Sequence, residues 1–336
     1  LEPFTDKLRN NMFIQCEKIK SDIGKIEEKE IPCIGKVIMN YDYYSGTDLY
    51  SDGDVEDTLL EIVKTHDKRD FPSIIAESKS WPVLYHLSEV RTNILNWYPF
   101  EKNASVLEVG AGCGAITGAI ADKVAKVTAI DLSKRRSLIN AYRNQDKDNL
   151  EIMVGNFNDI AAGISEQYDY VTLIGVLEYG ECYIPGENSY QVFLEKIRGL
   201  LKSNGKVLIA IENQLGLKYF AGCREDHVGR YFEGIEGYTN TSGVRTFSKK
   251  AITNLLLESG YDNVQFYYPY PDYKLPTTIY TDDFLPAKGE LSNNARNFDG
   301  DRMVLFDETK AWDTVLEAGL FPEFSNSFFI AATKRE

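Results

Sequence analysis

Val106-Leu107-Glu108-Val109-Gly110-Ala111-Gly112-Cys113-Gly114-Ala115 is an apolar run that ends in a glycine-rich turn. After a helix-length gap comes Lys126-Val127-Thr128-Ala129-Ile130-Asp131, a second apolar run that stops on an acid. Val106, Leu107 and Val109 favour a strand. Gly110, Gly112 and Gly114 lack a Cβ, so the backbone can bend sharply and let a ligand lie against it. Ala115, Ile116, Ala119, Ile120 and Val124 then recur at helical spacing. The free N–H groups opening that helix are expected to face the ligand. Asp131 follows the first glycine by about twenty residues, where a carboxylate can accept hydrogen bonds from both hydroxyls of a ribose. This order of elements predicts a site for the nucleoside half of a cofactor, at the carboxyl edge of a parallel sheet.

Two cofactor classes share that plan. Gly110, Gly112 and Ala115 formally satisfy the dinucleotide fingerprint, which keeps an NAD-dependent oxidoreductase as an alternative. Glu108, two residues before the first glycine, and Gly114 as the third glycine favour a different ligand. A carboxylate at that point repels a pyrophosphate but can face a cationic group. With no ligand at all, the same turn would only pack a helix on a sheet.

Residues from about 100 to 215 resemble a class I S-adenosylmethionine-dependent methyltransferase. Glu108-Val-Gly-Ala-Gly-Cys-Gly114 matches that family's first motif, and Asp131 matches its ribose-binding acid. The resemblance implies S-adenosylmethionine as cofactor, with S-adenosylhomocysteine as product. It implies a donor site formed by Glu108, Gly110, Ala111, Gly112, Gly114, Asp131 and Leu132. Gly155-Asn-Phe-Asn158 ends the third strand, where the family sets a polar and an apolar residue at the adenine; Asn156 and Phe157 fill those places. The family often has Asp where this chain has Asn156. Gly175 lies in Tyr170-Val-Thr-Leu-Ile-Gly-Val-Leu-Glu-Tyr179, which resembles the fourth strand and its loop. Many relatives end that loop in Glu-His; Glu178-Tyr179 stands here instead, which removes a common active-site histidine. A non-catalytic scaffold that binds the same cofactor is a further alternative.

The alternation of apolar runs and helical periods continues along the chain. Strands are expected over 150–154, 168–174, 206–211, 264–268 and 327–333, and helices over 190–201 and 247–259, the latter closed by Gly260. The expected fold is α/β: a Rossmann-like, doubly wound sheet of seven strands, the last antiparallel. Residues 1–84 are expected to form an α+β extension that serves as a lid and acceptor-binding segment, with a helix over 6–25, a strand over 36–44 and a helix over 55–65. Residues 85–336 are the expected methyltransferase domain, its core 100–211, 245–268 and 326–336. Insertions at 212–244 and 269–325 leave strand ends on the ligand side, where loops carry function. The acid-rich stretch 48–57 fails the EF-hand spacing and reads as a solvated turn.

Residues 81–100 lead into the core; within them Ser88 reads as the N-cap of a helix carrying Val90, Ile94, Leu95 and Trp97, which Pro99 ends. Tyr85, His86, Ser88 and Arg91 are candidates to touch the donor, with Arg91 paired to its carboxylate. The competing reading of Arg91 is an exposed arginine on a packing helix.

Ile211-Glu-Asn-Gln-Leu-Gly-Leu-Lys-Tyr-Phe-Ala-Gly222, Val244-Arg-Thr-Phe-Ser-Lys249 and Phe321-Pro-Glu-Phe-Ser-Asn-Ser327 resemble a bacterial methyltransferase group that accompanies, or is fused to, glycosyltransferases of cell-surface polysaccharide synthesis. That resemblance implies a sugar or glycan hydroxyl as acceptor and a glycosyltransferase domain or partner. A hydroxyl must lose its proton as it is methylated. Of the three histidines, His66, His86 and His227, only His227 lies in a loop expected over the pocket, within Arg224-Glu-Asp-His. His227 is the expected general base, and Glu178 the next candidate. The alternative for His227 is a surface histidine among solvated charges. Tyr179, Tyr183, Tyr219, Tyr231 and Tyr238 offer flat faces for a sugar, or plain packing.

The net charge of −14 over 336 residues disfavours a nucleic-acid substrate. No apolar run reaches transmembrane length. Five scattered cysteines show neither disulfide nor metal spacing, which fits a reducing cytoplasm. No metal site is expected from local spacing, although ligands scattered along the chain leave no such signature. The chain opens on Leu1 and not Met, as a piece excised from a longer protein would.

Overall fold

The computed structural model describes residues 32–48, 53–184, 186–294 and 301–336. The helix expected over 6–25 and part of the acidic turn, residues 49–52, lie outside the described residues. Residues 33–336 form a compact unit around one mixed sheet. Its strands are β1 (Cys33–Ile34), β2 (Val37–Tyr43), β3 (Ser105–Val109), β4 (Lys126–Asp131), β5 (Leu150–Gly155), β6 (Tyr168–Ile174), β7 (Leu201–Glu212), β8 (Tyr261–Tyr270), β9 (Thr278–Thr281) and β10 (Ser327–Lys334). Across the sheet they run β1-β2-β5-β4-β3-β6-β7-β10-β8-β9.

The strands from β5 to β7 pair in parallel. Both of their faces are covered, which is why they read as near-continuous apolar runs. Leu107, Val109, Val171, Leu173, Ile209 and Ile211 join one apolar cluster. Val106, Val127, Ala129, Ile152, Leu208 and Ala210 join the cluster on the opposite face. This is the two-residue alternation of a strand buried on both sides. β10 inserts antiparallel between β7 and β8, as expected of the last strand.

The sheet has ten strands, three more than expected. β2 pairs in parallel with β5, Ile38 opposite Glu151, so the strand expected in the amino-terminal extension belongs to the main sheet. β1 folds back on it through Gly35, whose φ of +58° and contact with the Gln145 backbone leave no room for a Cβ. β9 extends the other edge by pairing with β8. It comes from a proline- and acid-rich segment whose only strand signal is four residues long. A two-residue strand such as β1 carries no periodicity to read.

The helix after the glycine turn is short, Thr117–Ala121. The helix expected between an N-cap at Ser88 and Pro99 is split into a 3₁₀ turn Glu89–Thr92 and a short helix Asn93–Asn96, and a separate helix Trp81–Leu87 precedes it. Ser88 is the reason: its hydroxyl accepts from the Val90 N–H at 3.3 Å, restarting the chain as a 3₁₀ turn. Ser133 and Ser248 cap Lys134–Arg143 and Lys249–Glu258 in the same manner. Among the described residues no helix is long and apolar enough to cross a membrane.

Candidate active site

The three glycines of the turn answer three separate demands. All have positive φ: +70° at Gly110, +52° at Gly112 and +73° at Gly114. A Cβ on Gly110 would strike Val176 Cγ2 at 2.6 Å, and one on Gly114 would strike Asn140 Oδ1 at 2.2 Å. Gly112 has open space at that position. Two glycines therefore admit neighbouring parts of the fold, and the third bares the backbone on its free side. The Gly112 N–H donates to Asp131 Oδ2 at 2.7 Å, and the Ser133 N–H to Oδ1 at 2.9 Å. Asp131 is buried at the carboxyl end of β4; burial pushes its pKa up and these donors pull against the shift. Each carboxylate oxygen keeps a second lone pair for a ribose hydroxyl.

Glu108 is 2% exposed, and neither of its oxygens makes a hydrogen bond among the described residues. Burial pushes its carboxyl up to about 8; Thr117 nearby pulls it down and Asp131 adds to the rise. Ala111 is buried in the turn, Leu132 half-buried after β4, and Gly175 half-buried after β6. Asn156 caps the helix Phe157–Gly163 by accepting from the Asn158 N–H at 2.8 Å. The Phe157 ring lies in the core beside Tyr183 and Phe193, with centroids 6.1 and 5.3 Å away.

Arg91 is buried, not the exposed arginine of the competing reading. Its guanidinium lies 3.9 Å from the Tyr85 ring centroid, and its Nε and Nη1 are buried without a hydrogen-bond partner among the described residues. A buried guanidinium with unused donors is costly unless a ligand completes it. His86 is buried too, but its backbone carbonyl serves Arg143.

Past the turn, a cluster of charge gathers at the ends of β6 and β7. Glu178 stands in the 3₁₀ turn Leu177–Tyr179, Glu212 ends β7, and His227 reaches in from the following segment. One potential ligand atom from each lies within 4.8 Å of the other two. His227 Nε2 is 3.2 Å from Glu212 Oε2, and its Nδ1 is 3.1 Å from the Tyr179 hydroxyl. Lys274 Nζ sits 2.7 Å from Glu212 Oε1 and 2.5 Å from Asp226 Oδ1. Behind it Lys218 pairs with Asp226 at 2.9 Å and Asp272 at 2.8 Å. One contact ties the loop that carries Glu178 to the glycine turn, and a second packs Gly175 against Glu178 and Tyr273 within the cluster. Val176 packs on Gly110, and a Cβ on Gly175 would lie 3.6 Å from Glu178 Oε1 and 2.9 Å from the Tyr273 hydroxyl.

Burial dominates the electrostatics. It pushes Glu178 up to about 8, with Glu212 adding to the rise and His227 opposing it. Burial would lift Glu212 as well, but Lys274 and His227 overcome it and hold that carboxylate down at about 2. Burial would lower His227, yet Glu212 and then Glu178 raise it to about 9. The sequence pointed to His227 and Glu178, and to Asp226 only as a carboxylate beside His227 in the chain; Glu212 and Lys274 were not among its candidates. Glu212 carried a usable signal, since it ends an apolar run as Asp131 does. Tyr219 and Tyr238 turn out to be buried and bonded to Asp226 and Glu225, so of the five tyrosines they offer no free face.

The donor side fits S-adenosylmethionine. Gly112 is open where the cofactor would lie, Asp131 has acceptors for a ribose, and Arg91 has unused donors for a carboxylate. Residues 107–207 match the family model described as a methyltransferase domain. Among solved structures, the chain is similar to a methyltransferase from Thermotoga maritima, with 15% identity over 80% of this chain and 100% of that one and a TM-score of 0.41. It is also similar to phosphoethanolamine N-methyltransferase 2 of Haemonchus contortus bound to S-adenosylhomocysteine, with 16% identity over 81% and 61% and a TM-score of 0.44. A third is the N-methyltransferase NodS of Bradyrhizobium japonicum, with 13% identity over 74% and 96% and a TM-score of 0.42. Likeness at these scores decides nothing about the chemistry. The match over 107–207 and the fit of the cradle do: this chain carries a methyltransferase domain, is an enzyme of that kind, and takes S-adenosylmethionine as its cofactor.

Proposed function

We propose that the chain methylates a hydroxyl group of a sugar or other small molecule. The observation that supports this reading is the buried Glu178, Glu212 and His227 cluster beside the glycine turn, at the ends of β6 and β7. In an open sheet of this kind ligands bind outside the carboxyl ends of the strands. The cofactor supplies an electrophilic methyl on a sulfonium. Gly110, Ala111, Gly112 and Gly114 shape the cradle, Asp131 and Leu132 hold the ribose end, and Asn156 and Phe157 flank the adenine end. Glu108 and Gly175 border the methionine end, and Arg91 takes its carboxylate. The remaining task is to place an acceptor oxygen in line with the methyl and to deal with its proton. His227 and Glu178 are the residues we assign to that task.

The segments 212–244 and 269–325 carry the acceptor side in this reading. Residues 33–84 of the amino-terminal extension take the covering role expected of it. The narrower resemblance supports a glycan acceptor, a glycosyltransferase domain or partner, and a place in polysaccharide synthesis in the cytoplasm.

The test is a mass-spectrometric methyl-transfer assay against sugars, nucleotide sugars and oligosaccharides, with amines and thiols alongside. A gain of one methyl on a carbohydrate oxygen, lost in His227→Ala while donor binding persists, is the expected result. Methylation of amines or thiols only would overturn it.

A further inference from the structure

We propose that Glu178, Glu212 and His227 form a divalent-cation site that holds the acceptor hydroxyl. The role rests on the hydroxyl-methylation reading; the binding of the ion does not.

The three donors lie apart in sequence, spread over 178–227, and come from a turn, a strand end and a loop. Their ligand atoms nevertheless lie within 4.8 Å of one another. The His227 Nε2 to Glu212 Oε2 distance of 3.2 Å is close to the spacing of about 3 Å between adjacent ligands on an ion with bonds of about 2.1 Å. Lys274 and His227 already meet Glu212, so the place left for a further positive charge is beside Glu178.

Independent of that geometry, Glu178 Oε2 is buried with no hydrogen-bond partner among the described residues, on a residue 1% exposed. An unused carboxylate oxygen beside two other donors is what a cation would complete. The surroundings also hold the donors as the supports of a metal site do. The Tyr179 hydroxyl meets His227 Nδ1, the nitrogen turned away from Glu212, so an ion would take Nε2 and replace its direct contact with Glu212 Oε2. Lys274 holds Glu212 by Oε1, which leaves Oε2 facing inward. One imidazole and two carboxylates suit Mn²⁺ or Zn²⁺, and three protein ligands leave positions open for an acceptor oxygen.

A hydroxyl bound to the ion becomes more acidic. Its O–H bond breaks and the proton passes to water. The oxygen forms the bond to the methyl carbon, and the C–S bond breaks with its electron pair left on sulfur.

The test uses metal-stripped full chain, dialysed against Mn²⁺ and separately against Zn²⁺. Bound metal is measured by elemental assay, and Mn²⁺ also by electron paramagnetic resonance. One ion per chain is expected, with affinity reduced at least tenfold in Glu178→Gln and in His227→Gln. S-adenosylmethionine titration of the same samples reports whether the donor side is folded. Normal donor binding in the wild type with neither metal bound overturns the cation site and leaves the methyl-transfer reading intact. Equal metal affinity in wild type and both variants also overturns it. Bound metal with sugar methylation absent would sink the hydroxyl reading and spare the site.

Discussion

The Gly112 N–H donates to Asp131 Oδ2 at 2.7 Å, which ties the glycine turn to the acid on the neighbouring strand. Asp131 thus sets the position of the turn, and in the proposed donor site it also holds the ribose. Asp131→Ala removes both functions. A hydrogen bond to a charged group is worth about 1.5–3 kcal/mol, so the dissociation constant for S-adenosylmethionine should rise about ten- to a hundredfold by calorimetry. An unchanged value would remove Asp131 from the donor site.

Gly112→Ala and Gly114→Ala should part company, although both glycines have positive φ. At 112 the new methyl meets open space, so the stability cost is the backbone preference alone, about 1–2 kcal/mol. The larger effect there should be on donor affinity. At 114 the methyl collides with Asn140, which is buried and hydrogen-bonded to Thr117 at 3.0 Å. Overpacking adds about 1–3 kcal/mol, so Gly114→Ala should melt well below Gly112→Ala. Denaturant titration of the two variants checks the order.

If Nε and Nη1 of Arg91, unpartnered among the described residues, take the donor carboxylate as proposed, Arg91→Ala should weaken S-adenosylmethionine binding by about tenfold or more. Methylthioadenosine has no carboxylate and should bind both proteins alike. An equal loss for both ligands would mean that Arg91 only supports the fold through Tyr85.

Glu108 predicts a pH dependence of stability. Its folded pKa of about 8 stands above the ordinary 4.5, so the folded chain keeps this proton where the unfolded chain has released it. The contribution is full below pH 4.5 and declines as pH rises through about 8. Glu108→Gln cannot lose that proton. Its stability relative to wild type should therefore improve from pH 5 and level off above about pH 8 in urea titrations, and a constant difference would refute the buried protonated carboxyl.

The sequence revealed those parts of the site that depend on local chemistry. Gly110 to Gly114, Asp131 and the apolar β3 to β7 are visible because each strand is buried on both faces and each turn needs a residue without Cβ. His227 and Glu178 were legible as types in the right loops, but not their meeting. Lys274 shows why. It reaches Glu212 only because the chain between β8 and β9 returns across the end of β7, and no spacing in the sequence encodes that return. The edge strands were hidden for another reason. β1 and β9 are two and four residues long, too short for a period to appear.

The position of β10 bears on how the chain assembles. Its residues are synthesised after both β7 and β8, yet they fill the lane of the sheet between them. β2 similarly waits for β5, which is synthesised more than a hundred residues later. The pairings of β10 with β7 and of β2 with β5 join segments about a hundred residues apart or more, and long-range pairing of this kind is slow. A nascent chain stopped before Ser327 would leave the facing flanks of β7 and β8 open to any passing strand, so β10 acts as the fastener between them.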